Sequence, residues 1–329
     1  MQILRGSLAA LALLLAVAPA AAQSQAYPSR LVRIIVPTAP GNAADITARL
    51  ITERLTKRFG QPFIVENRPG GSATGAIASV HVAKSPADGY NLLMTSTSFT
   101  INTAMFAQLP YDIEKEFDAV ALTGQVGMVL ITTPSSNVTS VAQFVDLVKK
   151  EPGKHPYAIV GRGSIQHLTM ALFLSAIGGE MEPVSYKGSA PAMVDVMSGN
   201  VPFMFDALSS ATPYVTSNRV RALAVGAQSR AAALPGVPTT AESGIAALAP
   251  FEVIGWVGIL APKGTPPAVL RSLNGAIMEI VQEKDIKEKL ATMGVEVPAA
   301  HPPEKFRDFL REQIGKWDVA ARAAKIPRE

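Results

Sequence analysis

The 329 residues contain no cysteine. Disulfides, thiolate metal sites and cysteine nucleophiles are thereby excluded together, and the fold must rest on its core. Histidine is almost as scarce. His81, His155, His167 and His301 show no paired metal-ligand spacing, so neither a metal nor a cofactor is expected. Charge is sparse as well, at 17% of residues, with 30 Lys and Arg against 26 Asp and Glu and a net charge of +4. The basic residues are scattered rather than clustered beside aromatics, which argues against a nucleic-acid surface and favours a small anionic ligand. Beyond the N-terminus, long apolar runs without charge or Gly/Pro punctuation are missing, so the remainder is expected to be soluble.

What the chain does have begins with Arg5, an apolar run from Leu8 to Val17, and Pro19-Ala20-Ala21-Ala22. That is the pattern of a signal peptide, too short to span a bilayer with these flanks, with a cut expected after Ala22. The exported remainder, 48% apolar over the whole sequence, is long enough to form two domains.

The stretch Pro37-Thr38-Ala39-Pro40-Gly41-Asn42-Ala43-Ala44-Asp45 lies between the apolar run Leu31 to Val36 and an amphipathic segment starting near Asp45. Ala44, Ala48, Ile51, Leu55 and Phe59 fall on one helical stripe, with Arg49, Glu53 and Lys57 opposite. The pattern reads as strand, loop and helix N-terminus. Unpaired backbone N–H groups and the helix dipole dispose such a junction to hold an anion, although an ordinary βα connection has the same appearance.

Similar junctions recur along the chain. Asn67 to Gly75 is glycine-rich but lacks the phosphate-loop and dinucleotide spacings. Thr95 to Asn102 places hydroxyls at the end of a short strand, either for a ligand or as a solvated turn with caps. Ser140 with Gln143 marks a capping box. The strand Tyr157 to Val160, the loop Gly161-Arg162-Gly163-Ser164 and a helix over Ile165 to Ile177 repeat the opening arrangement. Tyr186 to Pro191 supplies a third loop, and the strand Val201 to Phe205 runs into Asp206-Ala207-Leu208-Ser209-Ser210. A first crossover between domains is expected near residue 125, amid Gly124 to Gly127, and a return along Phe251 to Ala261. The stripes Val269, Leu273, Ile277, Ile280 and Phe306, Phe309, Leu310, Trp317 read as core helices.

Taken together, several motifs carry a family resemblance: Pro37-Thr38-Ala39-Pro40-Gly41 with Asp45, Val65-Glu66-Asn67-Arg68-Pro69-Gly70, Pro86-Ala87-Asp88-Gly89-Tyr90, Leu109-Pro110-Tyr111-Asp112, Tyr186-Lys187-Gly188-Ser189-Ala190-Pro191, Arg221-Ala222-Leu223-Ala224-Val225 and Ala261-Pro262-Lys263-Gly264-Thr265-Pro266. In this order they make the chain resemble the Bug family, the substrate-binding proteins of tripartite tricarboxylate transporters. The resemblance implies an α/β periplasmic binding protein of type II-like, Venus-flytrap form, with a ligand cleft between two α/β domains. One domain would comprise 23–125 and 254–329 and the other 126–253. It further implies a periplasmic, monomeric receptor that delivers a small carboxylate to a membrane permease. Di- and tricarboxylates, amino acids and aromatic acids all fit.

By the same resemblance, the carboxylates are held mainly by backbone N–H groups of two loops, with ordered water; the binding residues fall at Thr38, Ala39, Pro40 (which itself has no N–H), Gly41 and Asn42 with Asp45, and at Gly161, Arg162, Gly163 and Ser164. Ser96, Thr97, His167, Tyr186, Lys187 and Asp206 are carried over as pocket-lining residues. Asn42 departs from the second glycine common in the family at this turn, which Asn tolerates. Arg162 is either a bidentate partner for a distal carboxylate or a solvated side chain, the latter being expected. A hydrolase using Ser164, His167 and Asp206 is the alternative, weakened by the absence of a Gly-x-Ser-x-Gly elbow and by a spacing that more simply makes Ser164 an N-cap.

Overall fold

The computed structural model describes residues 27–38, 40, 43–71, 73, 75–323 and 325–329. The expected signal peptide over 1–22, and Ala39, Gly41 and Asn42 of the opening loop, lie outside the described residues.

The apolar run after Leu31 forms β1 (Val32–Val36), all but Arg33 buried. The stripe that follows forms α1 (Ala43–Phe59), which buries Ala44, Ala48, Ile51 and Leu55 against the sheet. Gly60, at φ 66°, ends it with a left-handed turn that a residue bearing a side chain adopts at a cost. Next come β2 (Phe63–Asn67), α2 (Ala76–Ala83) and β3 (Asn91–Ser96), both strands lying parallel to β1. The polar run past β3 is not a solvated turn. It is the start of α3 (Ser98–Met105), in which Phe99, Thr100, Ile101 and Asn102 are all buried.

After the short α4 (Ile113–Glu116) the chain enters β4 (Phe117–Thr132), a strand of 16 residues. Its first part, to Gly127, pairs antiparallel with β9 (Ile254–Pro262), and from Met128 it pairs with β7 (Phe203–Ala207). The strand runs unbroken through residue 125 and exchanges partners just beyond it, between Gly127 and Met128. Its glycines allow close approach rather than a turn: a Cβ on Gly124 would sit 2.5 Å from Val295 Cγ1.

Beyond β4 the chain alternates α5 (Val141–Lys150), β5 (Pro156–Ile159), α6 (Ile165–Ile177), β6 (Glu182–Ser185), α7 (Ser189–Ser198), β7, α8 (Leu208–Thr216) and β8 (Arg221–Val225). Ser140 caps α5 by accepting the Gln143 N–H at 3.2 Å, while Gln143 Oε1 reaches back to the Thr139 N–H at 2.7 Å, one residue outside the usual capping box. The strand order is β2-β1-β3-β9-β4-β7-β5-β6, with β8 and β10 (Val295–Glu296) also on β4.

Of the C-terminal helices, α9 (Pro267–Gln282) and α11 (Pro303–Ala323) follow the expected stripes, while α10 (Lys284–Thr292) buries only Ile286 and Leu290. Phe306 and Leu310 of α11 pack with Phe99 and Trp256 beside the first part of the sheet. Trp317, Ala320 and Ala321, further along the same helix, join Leu168, Phe173 and Phe205 beside the second. No helix among the described residues is long and apolar enough to cross a membrane.

Candidate functional site

Short side chains and helix starts recur where strands end, and the fold gathers many of them around one cavity of about 650 Å³. Its walls include first-turn or cap residues of five helices: Ala43 and Ala44 of α1, Thr97 and Ser98 at α3, Ser164 to Gln166 at α6, Ser189 of α7, and Ala207, Ser209 and Ser210 at α8. Each helix start carries unpaired N–H groups and a partial positive charge, so their convergence favours an anion without any charged residue. Met105, Val126, Met128 and Trp256 supply apolar wall.

Of the residues singled out in the sequence, Ser96, Thr97, Arg162, Gly163 and Ser164 line this cavity. Arg162 is exposed and has no ion pair among the described residues. Gly163 takes φ 72°, and a Cβ there would meet Met105 Cε at 2.6 Å, so the loop's conformation and packing both require glycine. Thr97 Oγ1 accepts the Trp256 N–H at 2.8 Å, tying β3 to β9 and leaving its own O–H to donate. Ser164 caps α6, its Oγ accepting the His167 N–H at 3.3 Å, and likewise keeps its proton.

The other candidates stand behind the wall or away from it. His167 is buried, and its Nδ1 accepts the Gly163 N–H at 3.1 Å, which fixes the loop. Burial, aided by the charge of Arg162, lowers its pKa to about 4. The imidazole is therefore neutral near pH 7 and carries its proton on Nε2. Asp45 is buried in the first turn of α1, where Arg49 forks onto its carboxylate at 3.0 and 3.1 Å and Asn67 Nδ2 donates at 2.9 Å. The same Asn67 amide donates to the Thr38 carbonyl at 3.0 Å, holding the opening loop to β2. Pro40 is exposed, Gly161 half-buried, and neither is a wall residue; Lys187 is exposed outside the cavity. The Tyr186 hydroxyl donates to Asp195 at 2.6 Å, and its pKa is pushed up to about 12, by burial first and then by that carboxylate.

Asp206 is fully buried behind the cavity wall. Its Oδ1 accepts from Gln166 Nε2 at 3.2 Å, Ser189 Oγ at 2.9 Å and the Ala207 N–H at 2.9 Å, while Oδ2 has no hydrogen-bond partner among the described residues. Burial raises its pKa against the opposing pull of those bonds. These contacts dismantle the hydrolase alternative: the imidazole of His167 is engaged with Gly163, the Ser164 hydroxyl with a backbone N–H, and the Asp206 carboxyl with Gln166 and Ser189. No relay connects them. Among the described residues, no group of three or more His, Asp or Glu side chains is placed to hold a metal ion.

Gln166, Ser98 and Asn102 are wall residues that the sequence did not mark as site residues. Gln166 looks like an ordinary polar position of α6, and only its bond to Asp206, forty positions on, gives it a place. Ser98 and Asn102 belong to the polar run Thr95 to Asn102, whose helical conformation carries no strong local signal.

The profile of the tripartite tricarboxylate transporter family receptor matches residues 47–325. BugT of Bordetella pertussis is 34% identical over 293 residues, 88% of this chain and 88% of that protein. An R. palustris protein solved with adipate is 32% identical with a TM-score of 0.79, covering 92% of this chain and all of that one. MatC from Rhodopseudomonas palustris, solved with bound malate, is 29% identical with a TM-score of 0.74, over 89% of this chain and 99% of that one. The two-domain α/β binding-protein fold expected from the sequence is the fold these structures share with this chain.

Proposed function

The chain belongs to the tripartite tricarboxylate transporter receptor family, whose members are binding proteins rather than enzymes, and from that premise we propose that it captures a small organic carboxylate outside the cytoplasmic membrane and hands it to a membrane permease. The observation that carries the reading is the convergence of five helix N-termini on one cavity beside the exposed Arg162 guanidinium. Backbone N–H groups of the first helical turns, at Ala43 and Ala44 and at Ile165 and Gln166, hold one carboxylate, the Gly163 and Ser164 N–H groups being engaged within their own loop, and Arg162 takes a distal one by charge-assisted hydrogen bonds. Adipate and malate in the related structures are carboxylates of the same class.

In this reading the chain divides into 23–125 with 254–329, and 126–253. Each part contributes some of the donors, and ligand binding closes one over the other. The receptor acts as a monomer in the periplasm, its signal peptide removed after Ala22. Purified mature protein is expected to show a melting shift that grows with the concentration of adipate, malate or a related acid and vanishes when the acid is esterified. No shift across a broad panel of carboxylates would refute the reading. Conversion of a bound acid into products would point to an enzyme.

A further inference from the structure

The hydroxyls around the cavity are not equivalent, because their protons have different destinations. Thr97 and Ser164 accept backbone N–H groups, from Trp256 and His167, and so keep their own protons to donate into the cavity. Ser189 and Ser210 have the reverse polarity. Ser189 gives its proton to Asp206 Oδ1 at 2.9 Å, and Ser210 gives its proton inward too, to the Ala207 carbonyl at 3.2 Å or to the adjacent Asp206 carboxyl, so both turn lone pairs outward. Gln166, 9% exposed, spends an N–H on the same Asp206 oxygen, and its Oε1 has no protein partner among the described residues. The buried Asp206 thus makes one flank of the cavity an acceptor surface inside a site whose helix starts and Arg162 otherwise present donors.

A simple carboxylate has only acceptors, and it would leave Gln166 Oε1 and the serine lone pairs without a proton, at the cost of leaving buried polar groups unpaired. Accepting on the proposed carboxylate-binding function, we infer that the ligand carries a hydrogen-bond donor beside its carboxylate, and that this donor is a hydroxyl seated on Gln166, Ser189 and Ser210. The acceptors that line this flank are neutral, and the converging helix N-termini make the surroundings positive, so a neutral hydroxyl suits the place better than an ammonium. Asp206 is a positioning residue that sets the polarity of Gln166 and Ser189.

Calorimetry with the purified full-length mature protein tests this on matched acids: succinate, 2-hydroxysuccinate and 2-aminosuccinate, and adipate with its 2-hydroxy and 2-amino derivatives. In at least one series the hydroxy acid is expected to bind about tenfold or more tighter than its unsubstituted parent and tighter than the amino acid. In Gln166→Met and Ser189→Ala that ratio should fall towards one. Comparable binding of parent and hydroxy acids, or a preference for the amino acids, overturns the hydroxyl inference while leaving carboxylate capture standing. Binding of none of these acids, together with an empty wider carboxylate panel, overturns both. If a variant fails to fold, the wild-type ratios alone decide.

Discussion

Arg162 and His167 flank the same cap, and the charge of the first acts on the ring of the second. The guanidinium lies at the cavity wall, where the proposed function gives it a second carboxylate to hold, and its charge helps to keep the imidazole neutral. Arg162→Ala is expected to weaken dicarboxylate binding about 10- to 100-fold, the worth of a charge-assisted hydrogen bond of about 1.5–3 kcal/mol, and monocarboxylate binding much less. Calorimetry on one acid of each kind reads the difference. For His167, an unfolded imidazole takes up a proton below its ordinary value near 6.5, whereas the native one resists until about 4. Stability is therefore insensitive to this group above pH 6.5 and declines as pH falls from there towards 4. His167→Asn, which keeps an acceptor for the Gly163 N–H, should show a shallower fall in Tm across that window than wild type. Parallel profiles would show that the imidazole is not the group responsible.

At the scale of elements, the proposed function rests on the helix starts. Ala43 is the first helical residue of α1, a position at which proline fits sterically, so Ala43→Pro deletes one N–H with little change to the helix. If that amide holds a carboxylate, affinity should drop about tenfold for every acid tested, with Tm nearly unchanged; unaltered affinity would remove α1 from the binding surface. Which helix starts were legible follows from local signal. α1 and α6 show themselves through an apolar stripe and an adjoining glycine loop, and the bounds that the sequence implies for α6, Ile165 to Ile177, are those of the structure. α8 did not, because Leu208–Thr216 is rich in Ser and Thr and contains Pro213, so its residues read as the frayed end of a strand. α10 has too narrow an apolar face, with two buried residues, to stand out. The polarity of individual hydroxyls was beyond reach for a different reason: it is set by partners such as Asp206 for Gln166 and Trp256 for Thr97, 40 and 159 positions away.

Over the whole molecule, any closure must be reconciled with how the two parts of the sheet are joined. β4 is continuous across them, with β9 alongside its first part, and α11 places Phe306 and Leu310 in one core and Trp317 in another. The connection is thus one continuous strand, the segment that leads into β9, and a helical strap, which permits bending along β4 but resists separation of the cores. Trp317 is fully buried, and Trp317→Ala should cost about 3–5 kcal/mol, measured by denaturant unfolding. Because Trp317 lies outside the cavity wall, its removal loosens the strap without deleting a ligand contact. Small-angle scattering should show the wild-type radius of gyration, about 19 Å for a compact chain of this size, decreasing on saturation with a bound acid. In Trp317→Ala, at a temperature where the variant remains folded, the ligand-free form should be the more expanded and the ligand-induced decrease correspondingly larger. Identical scattering with and without ligand in both proteins would mean that the cavity fills without closure, and that the partner exchange along β4 is a static join rather than a hinge.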